Sequence, residues 1–222
     1  NGIGAHEVII ETPDHATTLA TLSEKGIEEV LWAYRDRVLD LKNDRRFRYI
    51  LIYKNHGEAA GATLEHSHSQ LIALPIVPKR VMEVLKGAQR YFEFRGRCPY
   101  CDMLSQELDE DERVVAENKG FVAFCPFVSS FPFEMWIVPR EHHSDFTSIT
   151  KEGLTDLSRI LKEALLRLRH ALSDPPYNFI IHTSPIEYQE RDEHHWHVEL
   201  TPSLPALACS HSAGTAMPLP KA

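Results

Sequence analysis

The sequence lacks long apolar runs, a basic surplus and a large stock of cysteine, and each shortage excludes something. No stretch approaches the roughly 20 apolar residues that span a bilayer, so no membrane partner is expected. Lys and Arg number 24 against 32 Asp and Glu, a net charge of −8. A chain with that balance is not built to grip a nucleic-acid polymer, although a small phosphorylated ligand needs only a local site. Cysteines number only 4 in 222 residues, and the start Asn1-Gly2-Ile3-Gly4 shows neither a basic region nor an apolar secretory core. A disulfide framework is therefore not expected, and a cytoplasmic setting is. The missing initial methionine predicts a natural N-terminus further upstream. Histidine, by contrast, is plentiful at 13 residues, and two of the cysteines stand as Cys98-x-x-Cys101. Hydrophobic residues make up 43% and charged residues 25%, enough for the core of one large or two small globular domains.

The densest chemistry lies in His66-Ser67-His68-Ser69-Gln70. On a strand, positions i and i+2 share a face, so His66, His68 and Gln70 are expected to line one pocket. A loop of small residues, Asn55 to Thr63, precedes them, and an apolar strand, Leu71 to Leu74, follows. Strands are predicted over 6–11, 47–53, 66–74, 121–125, 133–138, 177–181 and 195–200. Helices are predicted over 23–42, 81–92 and 150–172. The first turns Ile27, Val30, Leu31, Tyr34, Val38 and Leu41 inward; the last does the same with leucines from Leu154 to Leu172. The acidic stretch 107–112 reads as solvated. The pattern is α+β, with antiparallel sheets and flanking helices.

The sequence also repeats itself. Glu7-Val8-Ile9-Ile10 and His15 recur 127 residues later as Glu134-Met135-Trp136-Ile137 and His142, and Gly26 recurs as Gly153. After the helix the spacing becomes 129, matching Ile50-Leu51-Ile52 to Phe179-Ile180-Ile181, His66 to His195 and His68 to His197. Two copies of a strand–helix–strand–strand unit are expected. Residues 1–94 hold the first, 95–204 the second, and 205–222 a divergent Ala/Ser/Pro tail.

Thiolate and imidazole make a favoured tetrahedral zinc set. The repeat singles out His142 and His195, so Cys98, Cys101, His142 and His195 are predicted to bind zinc. A redox pair, or a reduced Cys-x-x-Cys with unrelated histidines, is the competing reading. The equivalent histidines of the first copy are His15 and His66. Their cysteine partners would precede Asn1, which predicts a second Cys-x-x-Cys upstream. With His66 a ligand, His68 is left free. Its counterpart His197 has no glycine-bearing approach loop. Gly57 and Gly61 let backbone N–H groups close on phosphate oxygens, with Asn55 and Gln70 as further donors. A neutral imidazole beside such a cradle suits covalent nucleotidyl transfer.

Two combinations carry a resemblance. One is Asn55-x-Gly57…Gly61-x-Thr63 with His66-Ser67-His68-Ser69-Gln70. The other is Cys98-x-x-Cys101…Pro132-Phe133-Glu134…Pro139…His142…His195-Trp196-His197. From about residue 4 to 204 the chain resembles galactose-1-phosphate uridylyltransferases of the histidine triad superfamily. The resemblance implies tandem histidine-triad-like units and a UMP group exchanged between UDP-glucose and galactose 1-phosphate through a uridylyl-histidine, with ping-pong kinetics. It implies His68 as nucleophile and Gln70 as the residue holding the phosphoryl oxygens. Asn55, Gly57, Gly61, Ala62, Thr63 and Ser67 are the implied substrate contacts. His15 and His66 are implied at one zinc, and Cys98, Cys101, His142 and His195 at another. A homodimer with shared active sites is also implied.

Three departures stand out. Many of these enzymes carry proline where this chain has Ser67, and serine there is similar to the related ADP-glucose phosphorylases. The N-terminal part of the family unit, with the first zinc's cysteines, is absent. After the last strand, relatives continue into a hexose-contacting Gly-Phe-Glu segment that 205–211 does not match, as a truncated or frame-shifted end would not. The alternatives are an ADP-glucose phosphorylase or another histidine-triad phosphorylase or hydrolase, and an inactive zinc-binding fragment. Two copies in one chain argue against a simple hydrolase, which needs one.

Overall fold

The computed structural model describes residues 2–188 and 191–204; the tail 205–222, with Cys209, lies outside them. Eight strands form one antiparallel sheet in the order β1-β3-β2-β7-β8-β6-β5-β4. They are β1 (Ala5–Ile10), β2 (Tyr49–His56), β3 (His68–Leu74), β4 (Val114–Glu117), β5 (Phe121–Phe124), β6 (Met135–Pro139), β7 (Tyr177–His182) and β8 (His197–Pro202). The helices are α1 (Glu24–Leu41), α2 (Lys79–Arg95), α3 (Pro99–Glu110) and α4 (Lys151–Leu172).

The repeat is visible in three dimensions. β1-α1-β2-β3 and β6-α4-β7-β8 have the same strand–helix–strand–strand order, and β2 joins β7 at the centre of the sheet. Ile52 and Ile181, equivalent positions of the two copies, are each other's register partners. A local two-fold therefore passes between them, and the copies meet as mirror-ordered halves of one sheet. Even the caps repeat. Ser23 accepts the N–H of Gly26 at 3.0 Å, and Thr150, its equivalent, accepts that of Gly153 at 3.0 Å. A side-chain oxygen at this position satisfies one of the four orphan donors of a helix start.

Helices α1 and α4 lie side by side on one sheet face. All six predicted α1 residues are buried, and so are Leu154, Leu157, Leu161, Leu165 and Leu168 of α4, with Leu172 half-buried. On β3 the side chains of Ser69, Leu71 and Ala73 point into this layer, each fully buried. His68, Gln70 and Ile72 therefore point to the opposite face. At the free edge, Val8 and Ile10 of β1 are exposed beside Gln70 and His68.

The structure corrects several expectations. The strand begins at His68, so His66 lies in the approach loop and not on the strand. β4 and α3 do not follow from apolar periodicity: β4 has only four residues, and α3 runs through Cys98-Pro99-Tyr100-Cys101 into the acidic stretch. That stretch is not solvated throughout. Glu107 is buried and paired with Arg113 at 2.8 Å, and burial raises its pKa above the ordinary value. Phe133, expected in a strand, has φ of +62° and precedes β6. Among the described residues, no helix is long and apolar enough to cross a membrane.

Candidate functional site

A cavity of about 700 Å3 opens where the small-residue loop passes over the start of β3. The expected residues Asn55, Gly57, Gly61, Ala62, Thr63, His66, Ser67 and His68 all border it. The loop takes its shape from two glycines. Gly57 has φ 79° and ψ 152°, and Gly61 has φ 89°. The first conformation is essentially restricted to glycine, and a Cβ on Gly57 would lie 3.0 Å from the Cβ of Pro176. Gly57→Ala is expected to cost about 1–3 kcal/mol and to displace the loop, read as a lower midpoint in urea unfolding.

Asn55 holds the loop rather than the cavity. Its Nδ2 donates to the Gly61 carbonyl at 3.3 Å, and its Oδ1 accepts from Asn178 Nδ2 at 2.9 Å. Asn178 also donates to the Ala60 carbonyl at 2.9 Å. It belongs to β7, so the second copy braces the cavity wall of the first.

His68 is 4% exposed. Its Nδ1 lies 2.8 Å from the carbonyl oxygen of His66. A ring nitrogen against a carbonyl must carry the proton, which leaves Nε2 with its lone pair. The equivalent His197 makes the same contact, Nδ1 to the His195 carbonyl at 3.0 Å. There the likeness ends. His197 stacks on Trp136 and His182, with ring centroids 4.7 and 4.8 Å away, and borders a smaller cavity of about 320 Å3, while His68 borders the one of about 700 Å3.

Gln70 shares the face of His68 but is not in the cavity wall. Its Oε1 accepts from Tyr53 Oη at 2.9 Å and lies 2.8 Å from His6 Nε2. Ser67 borders the cavity, yet its hydroxyl is committed inward, donating to Glu11 Oε2 at 2.6 Å. Lys54 and Glu11, absent from the sequence-based set, form a buried ion pair at 2.8 Å under this stretch. A signal for Lys54 did exist: it occupies an inward position of β2, two after Ile52 and four after Ile50. His56 is also on the cavity wall, and burial lowers its pKa below the ordinary value.

Cys98, Cys101, His142 and His195 converge, with ligand atoms all within 4.8 Å of one another. Pro99 at the first position of α3 fixes the helix start, so both sulfurs sit at its N-terminal end, where the dipole favours thiolate. Cys101 Sγ lies 3.3 Å from His142 Nδ1 and 3.5 Å from His195 Nδ1. Metal–ligand bonds of about 2.0–2.3 Å in a tetrahedron put ligand atoms roughly 3.3–3.8 Å apart, so the set fits a metal ion. The two thiols shift each other in opposite directions. The Cys101 thiol holds Cys98 well below the usual range, and the Cys98 sulfur pushes Cys101 well above it. His15 and His66 repeat half of this arrangement, with Nδ1 atoms 3.1 Å apart and ring centroids at 5.2 Å against 5.0 Å for His142 and His195.

The fold and these two sites define a two-copy α+β protein, with a Cys2His2 cluster able to hold a metal ion in one copy and a histidine-bearing cavity in the other. Residues 1–78 match the N-terminal domain of galactose-1-phosphate uridyl transferase, and residues 84–207 match its C-terminal domain. The chain belongs to the galactose-1-phosphate uridyl transferase family. It is 38% identical to an Arabidopsis thaliana ADP-glucose phosphorylase over 91% of its own length and 57% of that protein's. It is 32% identical to a Thermotoga maritima galactose-1-phosphate uridylyltransferase over 90% of its length and 63% of that protein's. The crystal structure of the Arabidopsis phosphorylase with bound ADP-glucose superposes with a TM-score of 0.86, at 37% identity, covering 92% of this chain and 64% of that one. The chain thus spans about three-fifths of the length of the curated relatives it matches.

Proposed function

We propose that the chain transfers a nucleoside monophosphate between phosphorylated sugars through a covalent histidine intermediate. The observation carrying this reading is the His68 imidazole, held by the His66 carbonyl at Nδ1 and bordering the open cavity. In the uridylyl form, His68 Nε2 attacks the α-phosphorus of UDP-glucose. The bond from that phosphorus to the bridging oxygen breaks, and glucose 1-phosphate leaves. A phosphate oxygen of galactose 1-phosphate then attacks the same phosphorus, the P–N bond breaks, and UDP-galactose departs. The N–H groups of Ala60, Gly61 and Ala62 donate within the loop and hold its shape, the N–H of Thr63 at its end is offered to the phosphates, and the Gln70 amide comes to them by turning from Tyr53.

In this proposal zinc sits at Cys98, Cys101, His142 and His195, holding α3 to the second copy, and His15 and His66 contribute to a second zinc. Residues 1–94 are the nucleophile half and 95–204 the metal half of a cytoplasmic homodimer.

One observation favours a second reading. The Arabidopsis relative is an ADP-glucose phosphorylase, and Ser67 is the residue that resembles such enzymes. There the same His68 step would take AMP from ADP-glucose, with inorganic phosphate as the acceptor.

The test is incubation with UDP-glucose or ADP-glucose labelled at the α-phosphate. Protein-bound label that survives base and is lost in acid, obtained from UDP-glucose, supports the first reading. Label from ADP-glucose alone supports the second. No label from either, with zinc still bound, leaves a metal-binding fragment and sinks both.

A further inference from the structure

The chain buries a lysine and a glutamate directly beneath its candidate nucleophile, and neither is accounted for by the site as described. Glu11, just after β1, has a fully buried side chain, and that of Lys54 on β2 is 2% exposed. Burying two charges costs several kcal/mol per ion unless every proton and lone pair finds a partner. Here they do. Lys54 Nζ donates to Glu11 Oε2 at 2.8 Å, Ser67 Oγ at 3.1 Å and the His68 carbonyl at 3.0 Å. Its three N–H bonds are thereby used. Ser67 Oγ donates to Glu11 Oε2 at 2.6 Å, and Ser69 Oγ donates to Glu11 Oε1. Tyr34 Oη completes the chain, 2.5 Å from Ser69 Oγ. Burial holds that phenol in its protonated form, with its pKa well above the ordinary value, so it can donate to Ser69.

What the network touches is the main chain of the nucleophile stretch. Three successive carbonyls are taken. The His66 carbonyl meets His68 Nδ1, the Ser67 carbonyl accepts the Glu11 N–H at 3.2 Å, and the His68 carbonyl accepts Lys54. His68 stands at the first residue of its strand, where ladder hydrogen bonds alone define the backbone least. The ion pair supplies the missing restraint.

We infer that Lys54 and Glu11 are positioning residues for His68, with Ser67 as their bridge: the buried pair fixes the backbone from which the imidazole reaches the phosphorus. This rests on the reading of His68 as nucleophile. It also explains Ser67 without a substrate contact, since its hydroxyl joins the two charges.

A merely structural ion pair and a positioning one respond differently to neutralising both partners. Replacing a buried pair with apolar residues of similar volume often leaves stability unchanged or raised. The test is therefore the double variant Glu11→Leu/Lys54→Met, measured in single-turnover labelling of His68 with α-phosphate-labelled nucleotide sugar. The expected result is a thermal midpoint close to that of the parent chain, an unchanged half-saturating sugar concentration and a labelling rate constant lower by about a hundredfold. Such a loss is typical of a misplacement near 1 Å. Equal rates in the double variant and the parent, at matched stability, overturn the positioning role and leave the nucleophile reading intact. A parent chain that takes no label overturns both.

Should the double variant fail to fold, Lys54→Ala provides the second measurement. Lys54 borders the cavity, so a small primary ammonium ion such as ethylammonium can enter the space left. Recovery with added ethylammonium of part of the roughly hundredfold loss that misplacement causes supports the inference, and a rate indifferent to it overturns it.

Discussion

Label from the nucleotide sugar is expected to be lost in His68→Ala and retained in His197→Ala. The two histidines are equivalent in the repeat and make the same Nδ1 contact to a carbonyl two residues back. Their surroundings differ. His68 borders an open cavity of about 700 Å3. His197 is stacked on Trp136 and His182 at a smaller cavity of about 320 Å3 without the glycine-bearing loop, and burial depresses its pKa well below the ordinary value. Removing a covalent nucleophile abolishes the step it performs, a loss of about 10^4-fold or more. The cost in stability is small by comparison. One hydrogen bond is worth about 1 kcal/mol, equivalent to about 2–4 °C in a domain of this size. Mass spectrometry of the labelled chain and a thermal melt separate the two effects. Label surviving in His68→Ala but absent from His197→Ala would exchange the roles of the copies.

The second large effect concerns the metal cluster. In Cys98→Ser/Cys101→Ser, bound zinc is expected to fall from about one equivalent at this cluster to none, because hydroxyls do not replace thiolates as zinc ligands. A ligand bound only by the folded chain, at a free concentration of a thousand times its dissociation constant, stabilises by about 4 kcal/mol. For a chain of this length that is about 8–16 °C. The loss should concentrate around α3, whose N-cap and first turn carry the two cysteines. Chelation of the parent chain should reproduce it, and zinc should reverse it. The pH dependence has a definite sign. Protons compete with the metal for thiolate and imidazole, so the zinc-dependent part of the stability is present at neutral pH and lost on acidification. Elemental analysis and melts with and without chelator check this. Unchanged melting after complete metal removal would leave the cluster without a structural role.

Much of this protein is legible in its sequence, and the reasons are local. Helices α1 and α4 announce themselves because apolar residues recur every three or four positions after a Ser or Thr cap. The repeat is legible because both copies keep the same caps, strands and histidines. The cysteine and histidine cluster follows from the repeat, since spacing along the chain survives folding when the elements between the ligands are copied. By contrast, α3 hides behind Cys-Pro-Tyr-Cys and an acidic run whose Glu107 is neutralised by Arg113, a partner that periodicity does not reveal.

The sequence by itself determined the element types, the two-copy organisation, the family and the residues gathered around His68. Only the tertiary structure decided that the two copies close into a single sheet through β2 and β7, because strand pairing across 129 residues of chain is a contact, not a pattern. It alone showed that Ser67 points inward, that Gln70 is held by Tyr53 and His6, and that Lys54 and Glu11 meet beneath His68. A side chain's direction depends on which face its strand presents to the core, and that face is fixed by neighbours distant in sequence.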